Sequence, residues 1–297
     1  MTDHAAPRAT DRMMVLAAAL LFSTGGAVVK MTTLTGPQVA CTRAGIAAVA
    51  LLVFLPNAWR GLNWRSLLVG CTYAGTTISY ALANKLTTAA NAVFLQSAAP
   101  LYILILSPLL LRESIRRRHV LFMAALAIGM LMIVGGGQPQ SATAPEPLHG
   151  NLLAILTGVC WALTVIGLRW LGRTRPNEAS ATEAAAAVVA GNLIACLVTI
   201  RAALPILDST AVDWAAVSFL GIFQIAIAYV FLVHGVRTVG ALEASLLILL
   251  EPVLSPVWAW MIHGERPTTL ALLGGAIIVV ATAVYTAWGE KPAHPSD

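Results

Sequence analysis

Residues 89–113 read AANAVFLQSAAPLYILILSPLLLRE, and residues 241–265 read ALEASLLILLEPVLSPVWAWMIHGE. Each is an apolar run of about the 20 residues that a helix needs to cross a bilayer. At an offset of 152 positions, Ala89 meets Ala241, Ala92 meets Ala244, Leu95 meets Leu247, Pro100 meets Pro252 and Glu113 meets Glu265. Chance pairs alanines readily in this composition. The shared mid-run proline and the shared terminal glutamate carry the match. Lys85 also meets Arg237, Phe22 and Lys30 correspond to Trp161 and Arg169, and Trp64 and Trp214 each open a run. The chain reads as two copies of one unit.

Eight more runs extend the pattern in both directions. The first five cover 13–31, 38–56, 66–84, 90–111 and 119–137; the second five cover 150–170, 180–200, 214–236, 241–262 and 268–288. Proline and glycine mark the breaks, as at Gly36-Pro37, Pro56-Asn57, Arg175-Pro176 and Arg266-Pro267. A polar loop from Gln138 to His149 parts the halves. The expected units are 1–137 and 150–297, with 138–149 as linker. The first run follows Arg8 and Arg12 and reads as a retained span, not a cleaved leader. The strict apolar–polar alternation of a membrane barrel is missing. The expected fold class is therefore an all-α polytopic membrane protein of ten helices. An odd number of spans per copy sends the second copy through the membrane upside down, so the two repeats are inverted.

Composition agrees. Of 297 residues, 58% are hydrophobic and 10% charged, against about 25% charged in a soluble domain. Ten spans take roughly 200 residues, which leaves no room for a sizeable soluble domain. A soluble enzyme, a nucleic-acid reader and a disordered chain are excluded. Nucleic acid is thus not an expected partner, despite the net charge of +5. With a cytoplasmic N-terminus, the inner side carries Arg8, Arg12, Arg60, Arg65, Arg112, Arg116, Arg117, Arg118, Arg169, Arg173, Arg175, Arg237 and Lys291. The outer side carries Lys30, Lys85, Arg201 and Arg266, and Arg43 lies within the second span. Basic residues gather on the cytoplasmic side of membrane proteins, so both termini are expected there. The Arg116–Arg118 cluster sets topology and can touch anionic lipid. Cys41, Cys71, Cys160 and Cys196 each lie in an apolar run, and His119, His234 and His263 lack metal-ligand spacing. No metal or other cofactor is expected, and no G-x-x-x-x-G-K-[ST] loop is present to take ATP.

Ten spans in two repeats, Pro100 and Glu251-Pro252 in the fourth and ninth, and a glutamate after each resemble the EamA-type branch of the drug/metabolite transporter superfamily. Phe22-Ser23-Thr24-Gly25, its counterpart Trp161-Ala162-Leu163-Thr164, and Arg43 in the second span fit the same pattern. The resemblance covers residues 13–288, and within the branch the YddG-like amino-acid exporters are the suggested kin. It implies a secondary transporter in a bacterial inner membrane. Such a protein exports small metabolites, amino acids with aromatic or other apolar side chains among them, by alternating access around a midplane cavity. The second repeat departs from the pattern, with Glu183 standing where Arg43 does in the first.

Polar groups in hydrocarbon are costly and should face the protein interior. Glu251, the carboxylate nearest the middle of a span, reads either as a proton-coupling or ammonium-binding site or as a brace for the break at Pro252. Pro100 and Pro252 read as hinges, because proline removes a backbone donor. Substrate-binding candidates are Tyr80, Asn84, Gln96, Tyr102, Trp161, Gln224 and Tyr229. Gln96 and Gln224 both donate and accept, which suits a zwitterion. The Trp161 ring suits an apolar wall or a cation. Each can instead serve helix packing. Arg43 could pair with a carboxylate, snorkel outward or meet a substrate carboxylate. The expected partners are a small-molecule substrate, membrane lipid and protons; the oligomeric state stays open. Multidrug or organic-cation efflux is the alternative, and an integral membrane enzyme a more distant one.

Overall fold

The computed structural model describes residues 9–110, 117–174, 178–235, 239 and 241–289. Glu113, Arg112, Arg116, Arg175, Pro176, Arg237, Arg8 and Lys291 lie outside the described residues. Ten long helices run through the rest. In the first half they are α1 (Ala9–Ser23 continued by Gly25–Met31), α2 (Gly36–Phe54), α3 (Trp64–Leu86), α4 (Ala89–Ser97 continued by Ala99–Leu110) and α5 (Arg117–Gly135). In the second half they are α6 (Pro147–Thr174), α7 (Glu178–Ala203), α8 (Ala211–Gly235, π-helical over Leu220–Ile227), α9 (Ala241–Ile248 continued by Leu250–His263) and α10 (Thr269–Gly289).

Local chemistry sets the ends. Asn63 caps α3 by accepting from the backbone N–H of Arg65 at 2.9 Å and of Ser66 at 3.1 Å. Thr35 and Gln38 form a reciprocal capping box at α2, with Pro37 in its first turn. Thr88 caps α4 and Thr210 caps α8. Gly264 ends α9 in the left-handed conformation, φ 64°, which glycine adopts without a Cβ penalty. The interruptions in α4 and α9 fall at Ala98 and Leu249, just before Pro100 and Pro252. This is where the missing proline N–H frees a carbonyl of the preceding turn.

Nine of the ten helices are long and apolar enough to cross a membrane by length and hydropathy. The exception is α3, where Thr72, Tyr73, Thr76, Thr77, Ser79, Tyr80 and Asn84 lower the mean. At 1.5 Å per residue its 23 residues span about 34 Å, longer than the hydrocarbon layer of about 30 Å. Its polarity follows from its position: α3 is enclosed by α6 and α7.

Helix pairing obeys a two-fold exchange of the halves. Helix α2 packs on α7, α5 on α10 and α4 on α9, each on its own counterpart. Three further contacts come in exchanged pairs: α3–α6 with α8–α1, α3–α7 with α8–α2, and α4–α6 with α9–α1. Small residues sit at matching points. A Cβ on Gly70 would lie 3.1 Å from the Ala187 carbonyl oxygen of α7, and one on Gly221 would lie 2.9 Å from the Arg43 carbonyl oxygen of α2. The α5–α10 pair is closest at Gly129, where a Cβ would lie 2.7 Å from the Gly274 carbonyl oxygen. The main apolar core, which includes Phe94, Phe122, Leu126, Ile133 and Ile278, surrounds this crossing. The fold is thus a ten-helix polytopic bundle of two inverted five-helix repeats.

Helix association in lipid depends on close packing of small residues. Gly129→Val should therefore force α5 from α10 and destabilise the protein by about 1–3 kcal/mol. A lowered melting temperature in detergent would register this, with Gly135→Ala, which meets nothing within 4 Å, as the silent control.

Candidate functional site

A cavity of about 610 Å³ lies between the halves. From the first half it is lined by Phe22 of α1, Arg43 of α2, Tyr73, Thr76, Thr77 and Tyr80 of α3, and Gln96 of α4. From the second it is lined by Trp161, Val165, Leu168 and Arg169 of α6, Val188 of α7, Gln224, Ile225, Tyr229, Leu232 and Val233 of α8, and Ile248 and Glu251 of α9. Positions 73, 76, 77 and 80 form one helical stripe, so a single face of α3 builds a whole wall. The π-helical stretch of α8 contains Gln224 and Ile225; such local widenings recur at functional sites.

The wall is closely ordered around Tyr80. The Arg43 guanidinium carbon lies 5.1 Å from the Tyr80 ring centroid, and Arg43 Nη2 donates to the Thr77 carbonyl oxygen at 3.2 Å. Gly25 lets α1 approach this group: a Cβ there would lie 2.7 Å from the Tyr80 hydroxyl and 2.9 Å from Gln224 Nε2. Arg43 is buried two turns into α2 and has no ion-pair partner among the described residues. Snorkelling and pairing with a protein carboxylate are thus both corrected. The Oε1 atoms of Gln96 and Gln224 have no hydrogen-bond donor.

The two ends of the cavity differ. At one end its lining includes Arg169, which is exposed near the end of α6. Toward the opposite end, Lys30 and Glu265 form an ion pair at 3.2 Å with side chains only 3% and 2% exposed. Lys30 also donates to the carbonyl oxygens of Thr87, at 2.7 Å, and of Thr143. Glu265 accepts from the backbone N–H of Ala89 at 2.8 Å, a favourable place for a carboxylate at a helix N-terminus. Lys85 donates to the Thr32 carbonyl oxygen at 2.6 Å. Asp213 accepts from the Thr33 N–H at 2.6 Å and from the Thr33 hydroxyl at 2.9 Å. The linker belongs to this end as well: Glu146 N–H donates to the Leu86 carbonyl oxygen at 3.1 Å. Loops from both halves are therefore tied across one end.

Of the residues singled out in the sequence, Tyr80, Gln96, Trp161, Gln224, Tyr229 and Glu251 share this cavity. Asn84 and Tyr102 do not line it. Asn84 is buried one turn beyond Tyr80, donates to the Tyr80 carbonyl oxygen at 3.0 Å and packs on Gly26. Tyr102 turns toward α5, with its hydroxyl 3.7 Å from Met130 Sδ. Both are polar side chains whose surroundings depend on the neighbouring helix, which a single span does not reveal. Pro100 and Pro252 stand at the helix breaks, outside the lining. Phe22, Tyr73, Thr76, Thr77 and Arg169 were missed. The Phe22–Trp161 correspondence and the polar stripe of α3 are the signals that point to them.

The chain matches the EamA-like transporter family over residues 12–135 and again over 148–287. It belongs to that family. Each matched stretch holds one five-helix unit of the EamA-like pair. Among relatives, the uncharacterized transporter YyaM of Bacillus subtilis (strain 168) is 25% identical over 208 residues, covering 69% of this chain and 66% of that protein. The match thus spans just under two thirds of the Bacillus protein's length. An uncharacterized transporter of Archaeoglobus fulgidus is 25% identical over 217 residues, 72% of this chain and 73% of that one. A crystal structure of another protein shares the EamA-like fold with TM-score 0.61 at 22% identity, over 95% of this chain and 98% of that one.

Two outcomes test this geometry. Gly25→Ala should displace Tyr80 and Gln224 and reduce ligand binding to the cavity, while yield and monodispersity stay normal. Lys30→Met should leave Glu265 buried without its cation, at about 3–5 kcal/mol. Thermal unfolding should show a loss that Lys30→Met/Glu265→Gln largely restores.

Proposed function

We propose that this protein is a secondary transporter that exports small amphipathic metabolites, amino acids with aromatic or other apolar side chains among them, by alternating access. The reading is carried by one observation: the cavity is shared by both halves, runs to the exposed Arg169 in one direction and has the buried Lys30–Glu265 pair beyond it in the other. Two inverted repeats can exchange poses, and the exchange moves the opening from one side to the other. The volume falls in the usual range for small-molecule sites, about 300–1,000 Å³. The lining is mostly apolar with a few polar groups, which suits varied side chains held loosely.

The bias of basic residues puts the Arg169 end in the cytoplasm and the Lys30–Glu265 end outside. The described conformation then faces inward, ready to load a substrate for export across the cytoplasmic membrane of a bacterium. Glu251 is the cavity carboxylate through which protons would be exchanged for substrate, and Pro100 and Pro252 mark where α4 and α9 would bend.

A second reading is efflux of organic cations. It is favoured by Glu251 in a cavity that also holds the Tyr80, Trp161 and Tyr229 rings, since aromatic faces attract cations.

Purified protein in liposomes loaded with unlabelled L-phenylalanine should accumulate external labelled L-phenylalanine by counterflow. An imposed pH gradient should change the rate in the wild type and not in Glu251→Gln. Flux of tetraphenylphosphonium with no amino-acid counterflow would favour the cation reading, and conversion of the label without flux would favour an enzyme.

A further inference from the structure

We propose that the cavity clamps a zwitterion between the two halves, with the substrate carboxylate on Arg43 and its ammonium on Glu251. This rests on the transport reading above and adds the charge pattern that the substrate must carry.

Arg43 carries the first half of the clamp. It is 3% exposed, and a guanidinium does not give up its proton in a protein. Its Nη2 has the Thr77 carbonyl oxygen and its face has Tyr80, but Nε and Nη1 have no partner. No carboxylate stands within ion-pair distance of it among the described residues. A buried charge left without a counter-ion is strongly unfavourable, so its tolerance here points to an anion that comes and goes. The carboxylate at the corresponding place in the second half, Glu183, does not supply it. Glu183 accepts from Asn63 Nδ2 at 3.0 Å, at the start of α3.

Glu251 carries the other half. It faces the same cavity from α9 and has neither a hydrogen bond nor an ion pair among the described residues. Arg43 and Glu251 line the one cavity and form no ion pair with each other. The unpartnered Oε1 atoms of Gln96 and Gln224 add neutral acceptors that an ammonium can use. Phe22, Trp161, Val165 and Leu168 of the lining are apolar and suit the side chain, while the other cation, Arg169, stands exposed near the end of α6. A plain cation would satisfy Glu251 and be repelled by Arg43; a plain anion would do the reverse. A molecule with both charges on one carbon satisfies both. Since Arg43 belongs to the first repeat and Glu251 to the second, an occupied clamp ties the repeats together.

The test compares L-phenylalanine with phenethylamine, which lacks the carboxylate, and 3-phenylpropionate, which lacks the ammonium. Each should displace labelled L-phenylalanine from wild-type protein at least about tenfold more weakly than L-phenylalanine does, the size expected when a charged partner is lost. In Arg43→Gln, L-phenylalanine should lose its advantage over phenethylamine, whose own affinity should not fall. In Glu251→Gln it should weaken to the level of 3-phenylpropionate. Arg43→Lys should recover part of the loss. The wild-type series needs no variant and decides alone if a substituted protein fails to fold. Wild-type protein that takes phenethylamine as tightly as L-phenylalanine overturns the clamp. Full affinity in both glutamine variants overturns it too, while counterflow of L-phenylalanine keeps the transport reading standing. Absence of both binding and counterflow for phenylalanine, tryptophan and leucine overturns the amino-acid reading and the clamp together.

Discussion

A charged group within the hydrocarbon layer has to be turned toward the protein interior, and the protein has to build around it. Arg43 imposes that condition here. It sits two turns into α2, beneath the Tyr80 ring and beside the Thr77 carbonyl. Those contacts require the polar stripe of α3 to face α2. The stripe in turn needs a partner surface from the other half, which α6, α7 and α8 supply. The cavity is what remains where these faces do not fill the space with side chains.

The exchange symmetry of the helix pairs contrasts with the inequality of the cavity's ends. Equal halves could in principle close both ends alike. Instead Lys30, Glu265, Lys85 and Asp213 make buried and half-buried ties at one end, where the linker also docks, while the other end has the exposed Arg12–Glu243 pair. Near-equivalent helix pairing thus coexists with unequal ends.

Much of the frame was legible from residues alone. The ten apolar runs lie within four residues of the helices at each end, because length and apolarity are direct consequences of the bilayer. The breaks before Pro100 and Pro252 were legible for the same kind of reason, a missing backbone donor. The site was only partly legible. Gln96 and Gln224 were visible as costly polar groups, yet so were Asn84 and Tyr102, which serve packing. Distinguishing them requires the rotation of each helix about its axis, and that is set by neighbours such as Gly25, Gly26 and Met130. The π-helical stretch of α8 has no marker residue in LGIFQIAI.

The weak hydropathy of α3 also bears on how the chain is made. A segment carrying Thr72, Tyr73, Thr76, Thr77, Ser79 and Tyr80 gains less from entering lipid by itself than the other nine helices do. Its natural shelter, α6 and α7, emerges from the ribosome only after another sixty residues or more. The nascent first repeat therefore holds its least lipophilic span without that shelter until the second repeat arrives.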